Sequence, residues 1–240
     1  MNALVRAAWV KVRADLAEQL RYPVQFVFGW FTTGAVLWGL GLAAARTSGT
    51  EAGVGALATY VAMGAVSLFY LIPRLLAGGK DHPPEEAMLY PHPLARMVAV
   101  LASVNAAQIA VGLVGVYFLA ALTVTRHAPA LGVVLGGMAL ALLGAAGAGF
   151  LLFALKLVFR KVDGLAVLVQ LGFFAAAFTP GLRPDWIAAV PVAGAVRWLR
   201  EPAISPLPVL LFGLLWVFAG ILAVARAERA VVARGVAGYE

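Results

Sequence analysis

The chain has no cysteine among its 240 residues. That excludes a disulfide framework and thiolate metal or redox chemistry, and it leaves the compartment undecided. Charge is nearly as scarce: 12% of the residues are charged and 63% are hydrophobic, against about 25% and about 45–50% in soluble domains. A core of this size cannot hide so many apolar side chains, so an ordinary water-soluble domain is excluded and the excess must face lipid. Within the long apolar stretches there is no Asp, Glu or His, and the one basic residue, Lys156, stands at the end of a stretch. Ion-coupled carriers usually need a buried ionisable relay, so that class is disfavoured, with sodium sites built from backbone carbonyls as the exception. Intramembrane hydrolysis lacks the base that would activate a nucleophile. His82, His92 and His127 lie in loops without metal-ligand spacing, so no metal site is expected.

The apolar stretches are long enough to cross a bilayer, which takes about 20 residues of helix. They run over 23–45, 54–73, 97–125, 131–155 and 207–225, with a shorter one at 165–179. At 1.5 Å per residue the short segment reaches only about 22 Å, so it either thins the bilayer or continues into something that folds back. Six segments split the loops into two sets, and 13 of the 18 Lys and Arg fall in residues 1–22, 74–96, 156–164 and 226–240. By the positive-inside rule both termini are cytoplasmic. The same distribution explains the net charge of +7 through orientation and anionic headgroups, so nucleic acid is not an expected partner. Residues 1–22 carry six charges and no apolar core, so no cleaved signal peptide is expected and the first span stays as an anchor.

Residues 4–22 read as an amphipathic helix whose narrow apolar arc holds Val5, Trp9, Val12, Leu16 and Leu20, a pattern suited to the headgroup boundary. In the loop 74–96, Gly78-Gly79-Lys80-Asp81 fails as a phosphate-binding loop: Arg74 stands where the first glycine belongs and Asp81 where Ser or Thr would hold magnesium. After it, Pro84 can open a helix, Glu85 and Glu86 suit its first turn, and Pro91 stops it. This predicts a two-turn cytoplasmic helix over 84–90, with a solvated turn as the alternative. The external stretch 180–206 holds Pro184-Asp185-Trp186, Pro191 and Arg197-Trp198-Leu199-Arg200, and it is too apolar for a loop in water. It reads as a re-entrant pair of half-helices, or alternatively as a helix lying flat on the outer surface. Asn105, Gln108 and Gln170 are polar residues inside apolar segments. They would be costly facing lipid, so they are candidates for interhelical bonds or a substrate pathway. Ala35/Gly39, Gly132/Gly136 and Gly144/Ala148 have the four-residue spacing of close helix packing.

Three motifs in this order resemble the membrane subunit of ABC-2 type exporters. In the first cytoplasmic loop, Glu85-Glu86-Ala87-Met88-Leu89 followed by Pro93-Leu94-Ala95-Arg96 resembles that family's acidic and paired apolar residues ahead of Pro-Leu-Ser-Arg, at a spacing one or two residues longer and without the preceding Gly-Thr. Pro191 to Arg200, with Pro184-Asp185-Trp186 before it, is similar to the external motif. Glu228-Arg229, Arg234-Gly235 and Tyr239 are similar to the ending. The resemblance implies an all-α integral membrane protein: an interface helix over 1–22, six segments over 23–225 with re-entrant half-helices between segments 5 and 6, and a cytoplasmic tail over 226–240. It implies that Pro84, Glu85, Glu86, Met88, Leu89 and Tyr90 dock on a separate ATPase subunit that carries ATP and magnesium, this chain holding no cofactor and catalysing nothing itself. It further implies a second permease copy, identical or not, an inner-membrane location, and external half-helices marked by Pro184, Trp186, Pro191 and Arg200 that shape the exit of the pathway. The uncharged spans favour an amphipathic or lipid-like substrate. The competing expectation is a non-transporting scaffold or assembly factor of the same fold.

Overall fold

The computed structural model describes residues 52–74, 93–123, 130–159, 162–178 and 184–233, with scattered positions between 10 and 39. The side chains of Trp9, Leu16 and Leu20, most of the first predicted span, the helix predicted over 84–90 and the end of the tail lie outside the described residues.

Among the described residues every regular element is a helix. In chain order they are α1 (Ala52–Leu71), α2 (Leu94–Thr123), α3 (Leu131–Val158), α4 (Asp163–Phe178), α5 (Pro184–Ile187), α6 (Ala193–Arg200) and α7 (Leu207–Ala233). Three of them, α2 through its Leu94–Gly115 portion, α3 and α7, are long and apolar enough to cross a membrane. Two shorter apolar stretches, Leu57–Leu71 in α1 and Gly164–Ala177 in α4, accompany them.

Proline and serine set several of the ends. Pro73 lacks an amide hydrogen and restricts Ile72, and α1 tightens there into a 3-10 turn over Ile72–Arg74. The Pro93 carbonyl accepts from the Arg96 and Met97 amides at 3.0 and 3.2 Å, opening α2. Ser205 Oγ accepts from the Leu207 amide at 3.3 Å at the start of α7. One boundary differs from the hydropathy reading, for α7 continues eight residues past Ala225 to Ala233. Apolarity marks only where lipid can cover a helix. Arg226, Glu228 and Arg229 are adequate helix formers, Ala227 is buried against the bundle, and Glu228 Oε1 accepts from the Leu94 amide at 3.3 Å. The last helix thus caps the first turn of α2, a place where a carboxylate also suits the helix dipole.

The bundle is organised around α3, which contributes more buried residues than its neighbours. On one side α7 crosses it at Gly147 and Gly220. A β-carbon on Gly147 would strike the backbone of Trp216 and Val217, and one on Gly220 would lie 2.5 Å from the Gly147 carbonyl oxygen. On the other side the Phe69 carbonyl of α1 and Ile72 of the 3-10 turn that follows it lie against Gly149. Phe69 also meets Phe173 of α4 edge to face, with ring centroids 5.4 Å apart. Such contacts suit a bundle in lipid, where helices associate by close packing because apolar surface gains little by leaving hydrocarbon. The outward side of α7 carries Leu207, Leu211, Leu214, Leu215 and Phe218, all exposed.

Candidate functional site

The segment 184–200 folds as a hairpin of two short helices set against α3 and the first half of α7. α5 lasts one turn, and the Ala189 and Val190 amides donate to the Trp186 and Ile187 carbonyls at 3.1 Å each. Pro191 cannot donate a further bond of that kind, and the chain reverses. The reversal is a γ-turn on Val192, whose φ is 74° and ψ −49°, closed by the Ala193 amide donating to the Pro191 carbonyl at 2.9 Å. This turn type is strained, the more so with a β-branched residue at its centre. Val192 is the one non-glycine residue with positive φ among the described residues, and it is almost fully buried, so packing holds the strain in place.

Three contacts fix the tip. Pro191 Cα lies 3.3 Å from where a β-carbon of Gly144 would stand, which makes Gly144 the seat of the turn. Trp216 Nε1 donates to the Ala189 carbonyl at 2.9 Å, tying the tip to α7. Gly194 fits under Ala188 Cα, 2.9 Å from its own would-be β-carbon, and lets the two half-helices touch. Gly144 lies thirteen residues into α3 and Trp216 nine into α7, about 20 and about 14 Å along their axes. From the tip, α6 returns antiparallel to α3, and Leu199 and Trp198 pack over Gly137 and Gly136.

The far end of the hairpin is polar. Arg197 pairs with Glu201 at 3.6 Å, and two arginines in the last turn of α6 suit the negative end of that helix. Burial lowers the pKa of Arg200 from its ordinary value, with the charge of Glu201 pulling it back up. Beside these groups lies a cavity of about 280 Å³ between α5, α6, the 201–206 connection and the start of α7. Its walls are Ile187, Ala188, Ile204, Pro208 and Val209, joined by Gly194, Arg197, Trp198 and Ser205. A second cavity of about 10 Å³ lies at the tip against Gly144, Gly213 and Trp216, about the space one water needs.

Of the residues singled out in the sequence, Pro184 opens α5, Trp186 is exposed on it, Pro191 sits buried at the tip and Arg200 ends α6. Asn105, Gln108 and Gln170 do not join them. Asn105 Nδ2 donates to the Leu101 carbonyl of its own helix at 2.8 Å, Gln108 is exposed on α2, and Gln170 is half-buried on α4. Among the described residues no interhelical hydrogen bond involves them. The small-residue spacing found Gly136 and Gly144, both under the hairpin, whereas Gly132 has open space around it. Sequence reasoning missed Trp216 and Val192; the one signal for Trp216 was an indole in the middle of an apolar run, away from either membrane interface. Among the described residues no group of three or more His, Asp or Glu could hold a metal ion.

No protein-family model, no curated protein and no solved structure matches this chain.

Proposed function

We propose that the chain is the membrane-spanning permease subunit of an ATP-driven exporter of the ABC-2 type, working with a separate ATPase and a second permease copy. In this reading it crosses the cytoplasmic membrane six times with both termini inside, and it moves an amphipathic or lipid-like substrate outward. The supporting observation is the hairpin 184–200. Its tip touches α3 and α7 about 20 and about 14 Å from their starts, which favours half-helices dipping into the bilayer over a helix lying on its surface. Half-helices covered by neighbouring protein are the form in which a broken helix is tolerated at membrane depth. They stand where the external motif of the resemblance falls, from Pro184 to Arg200.

An exporter of this kind needs a partner with the GxxxxGK[ST] phosphate-binding loop, so the test is whether the adjacent reading frame encodes such a protein and, where it does, co-expression of the two chains. Co-purification and lipid-dependent ATP hydrolysis are expected. Glu85→Lys combined with Glu86→Lys, or Leu89→Asp, should abolish both while leaving insertion and thermal stability nearly unchanged. A small apolar patch with a charged rim is the composition of a protein contact. Wild-type co-purification by these variants would remove the 84–90 helix from the coupling, and the lack of any ATPase partner would leave the scaffold reading in its place.

A further inference from the structure

The cavity of about 280 Å³ beside α6 has a lining of uneven chemistry. Among the described residues Arg197 is the one charged residue that lines it, and no described carboxylate does. The carboxylate nearest in sequence, Glu201, sits outside the wall, paired with Arg197 at 3.6 Å, while Arg200 adds a second cation to the same end of α6. Ser205 lines the cavity and uses its oxygen to accept from the Leu207 amide, so its own hydroxyl hydrogen can be donated elsewhere. The start of the 27-residue α7 forms the floor through Pro208 and Val209, and the positive end of a helix dipole favours an anion there. The remaining wall residues among those described are apolar.

The volume is enough for a head group and a few methylenes. A longer chain has somewhere to go. Pro208, Leu211 and Leu215 follow one another at steps of three and four on α7, and Leu211 and Leu215 are exposed, so the cavity opens onto an apolar track running along the helix. We propose that this cavity binds an amphiphile with one anionic head, a phosphate or carboxylate held by Arg197 and Ser205, whose alkyl chain lies along Pro208, Leu211 and Leu215. Arginine suits this role because its planar fork of donors can serve Glu201 and an oxyanion together. The proposal rests on the membrane-embedded hairpin argued above and names the substrate class that its outer end would receive.

The absence of cysteine makes the test direct. Ile204→Cys places a single thiol on the cavity wall, and Ala203→Cys places a control thiol on the exposed neighbouring residue. In phosphatidylcholine nanodiscs, decyl phosphate should slow N-ethylmaleimide modification at position 204 at least tenfold and leave position 203 unchanged. Decyl maltoside, which has the chain without the anion, and inorganic phosphate, which has the anion without the chain, should protect neither. Arg197→Gln should weaken the decyl phosphate protection at least tenfold, and Val209→Trp, which fills the cavity without touching the cation, should abolish it. Equal protection by decyl maltoside, protection by inorganic phosphate alone, or undiminished protection in both variants would overturn the proposal. The measurement uses the isolated chain with both faces accessible, so it succeeds or fails independently of the ATPase co-purification that tests the exporter reading.

Discussion

The indole of Trp216 donates to the carbonyl of Ala189, 27 residues earlier, at 2.9 Å, and this bond joins the tip of the half-helix hairpin to the last helix. A carbonyl at a helix break has lost its regular partner, and in a low-dielectric setting it must find another. Trp216→Phe keeps an aromatic ring and removes the donor. It should cost about 1–3 kcal/mol, the penalty for leaving such a group unsatisfied, read as a lower unfolding temperature in detergent. A larger effect is expected on thiol accessibility at an Ala188→Cys reporter beside the tip.

At Val192 the usual order of small residues should reverse. Glycine is ordinarily less stable than alanine within structured segments by about 0.5–1 kcal/mol, but a positive φ penalises any β-carbon by about 1–2 kcal/mol. Val192→Ala loses buried side chain and keeps the strain, whereas Val192→Gly loses the side chain and relieves it. Val192→Gly should therefore melt at or above the temperature of Val192→Ala. Alanine clearly above glycine would show that the γ-turn does not constrain this residue.

Glycine at the α3–α7 crossing is required by backbone proximity. A β-carbon at Gly147 meets the backbone of Trp216 and Val217, which cannot swing aside as a side-chain tip could. Gly147→Ala should cost at least about 1–3 kcal/mol by overpacking, measured by thermal unfolding or by loss of monodisperse protein in detergent. Gly132→Ala, with nothing within 4 Å, should be neutral or slightly stabilising through helix propensity.

Orientation is tested with thiols at two exposed ends of the described bundle, Ser205 and Ala233. Under the proposed topology Ser205→Cys should react with an impermeant maleimide in intact cells, and Ala233→Cys only after permeabilisation. The opposite pattern would invert the protein in the membrane and move the hairpin to the cytoplasmic side.

Composition and periodicity are enough to read the chain as helical and apolar enough for lipid, because the excess of hydrophobic residues over any possible core is visible without a structure. The sequence also located α1 to α4 and the start of α7 to within a few residues, since proline and runs free of charge are local signals. Pro184 and Pro191 likewise marked the hairpin as a broken helix. Which residues meet depends on the folded chain. Gly144 and Gly132 both belong to small-residue pairs of the same spacing, yet one seats Pro191 and the other faces open space, a difference set by where a distant segment folds back. Asn105 has the composition of an interhelical bridge and instead bonds its own helix at Leu101, because a carbonyl one turn away is always within reach. The continuation of α7 to Ala233 and its cap on α2 through Glu228 were hidden for a similar reason: hydropathy reports the solvent a helix can enter, whereas a helix ends where its backbone and side chains run out of partners.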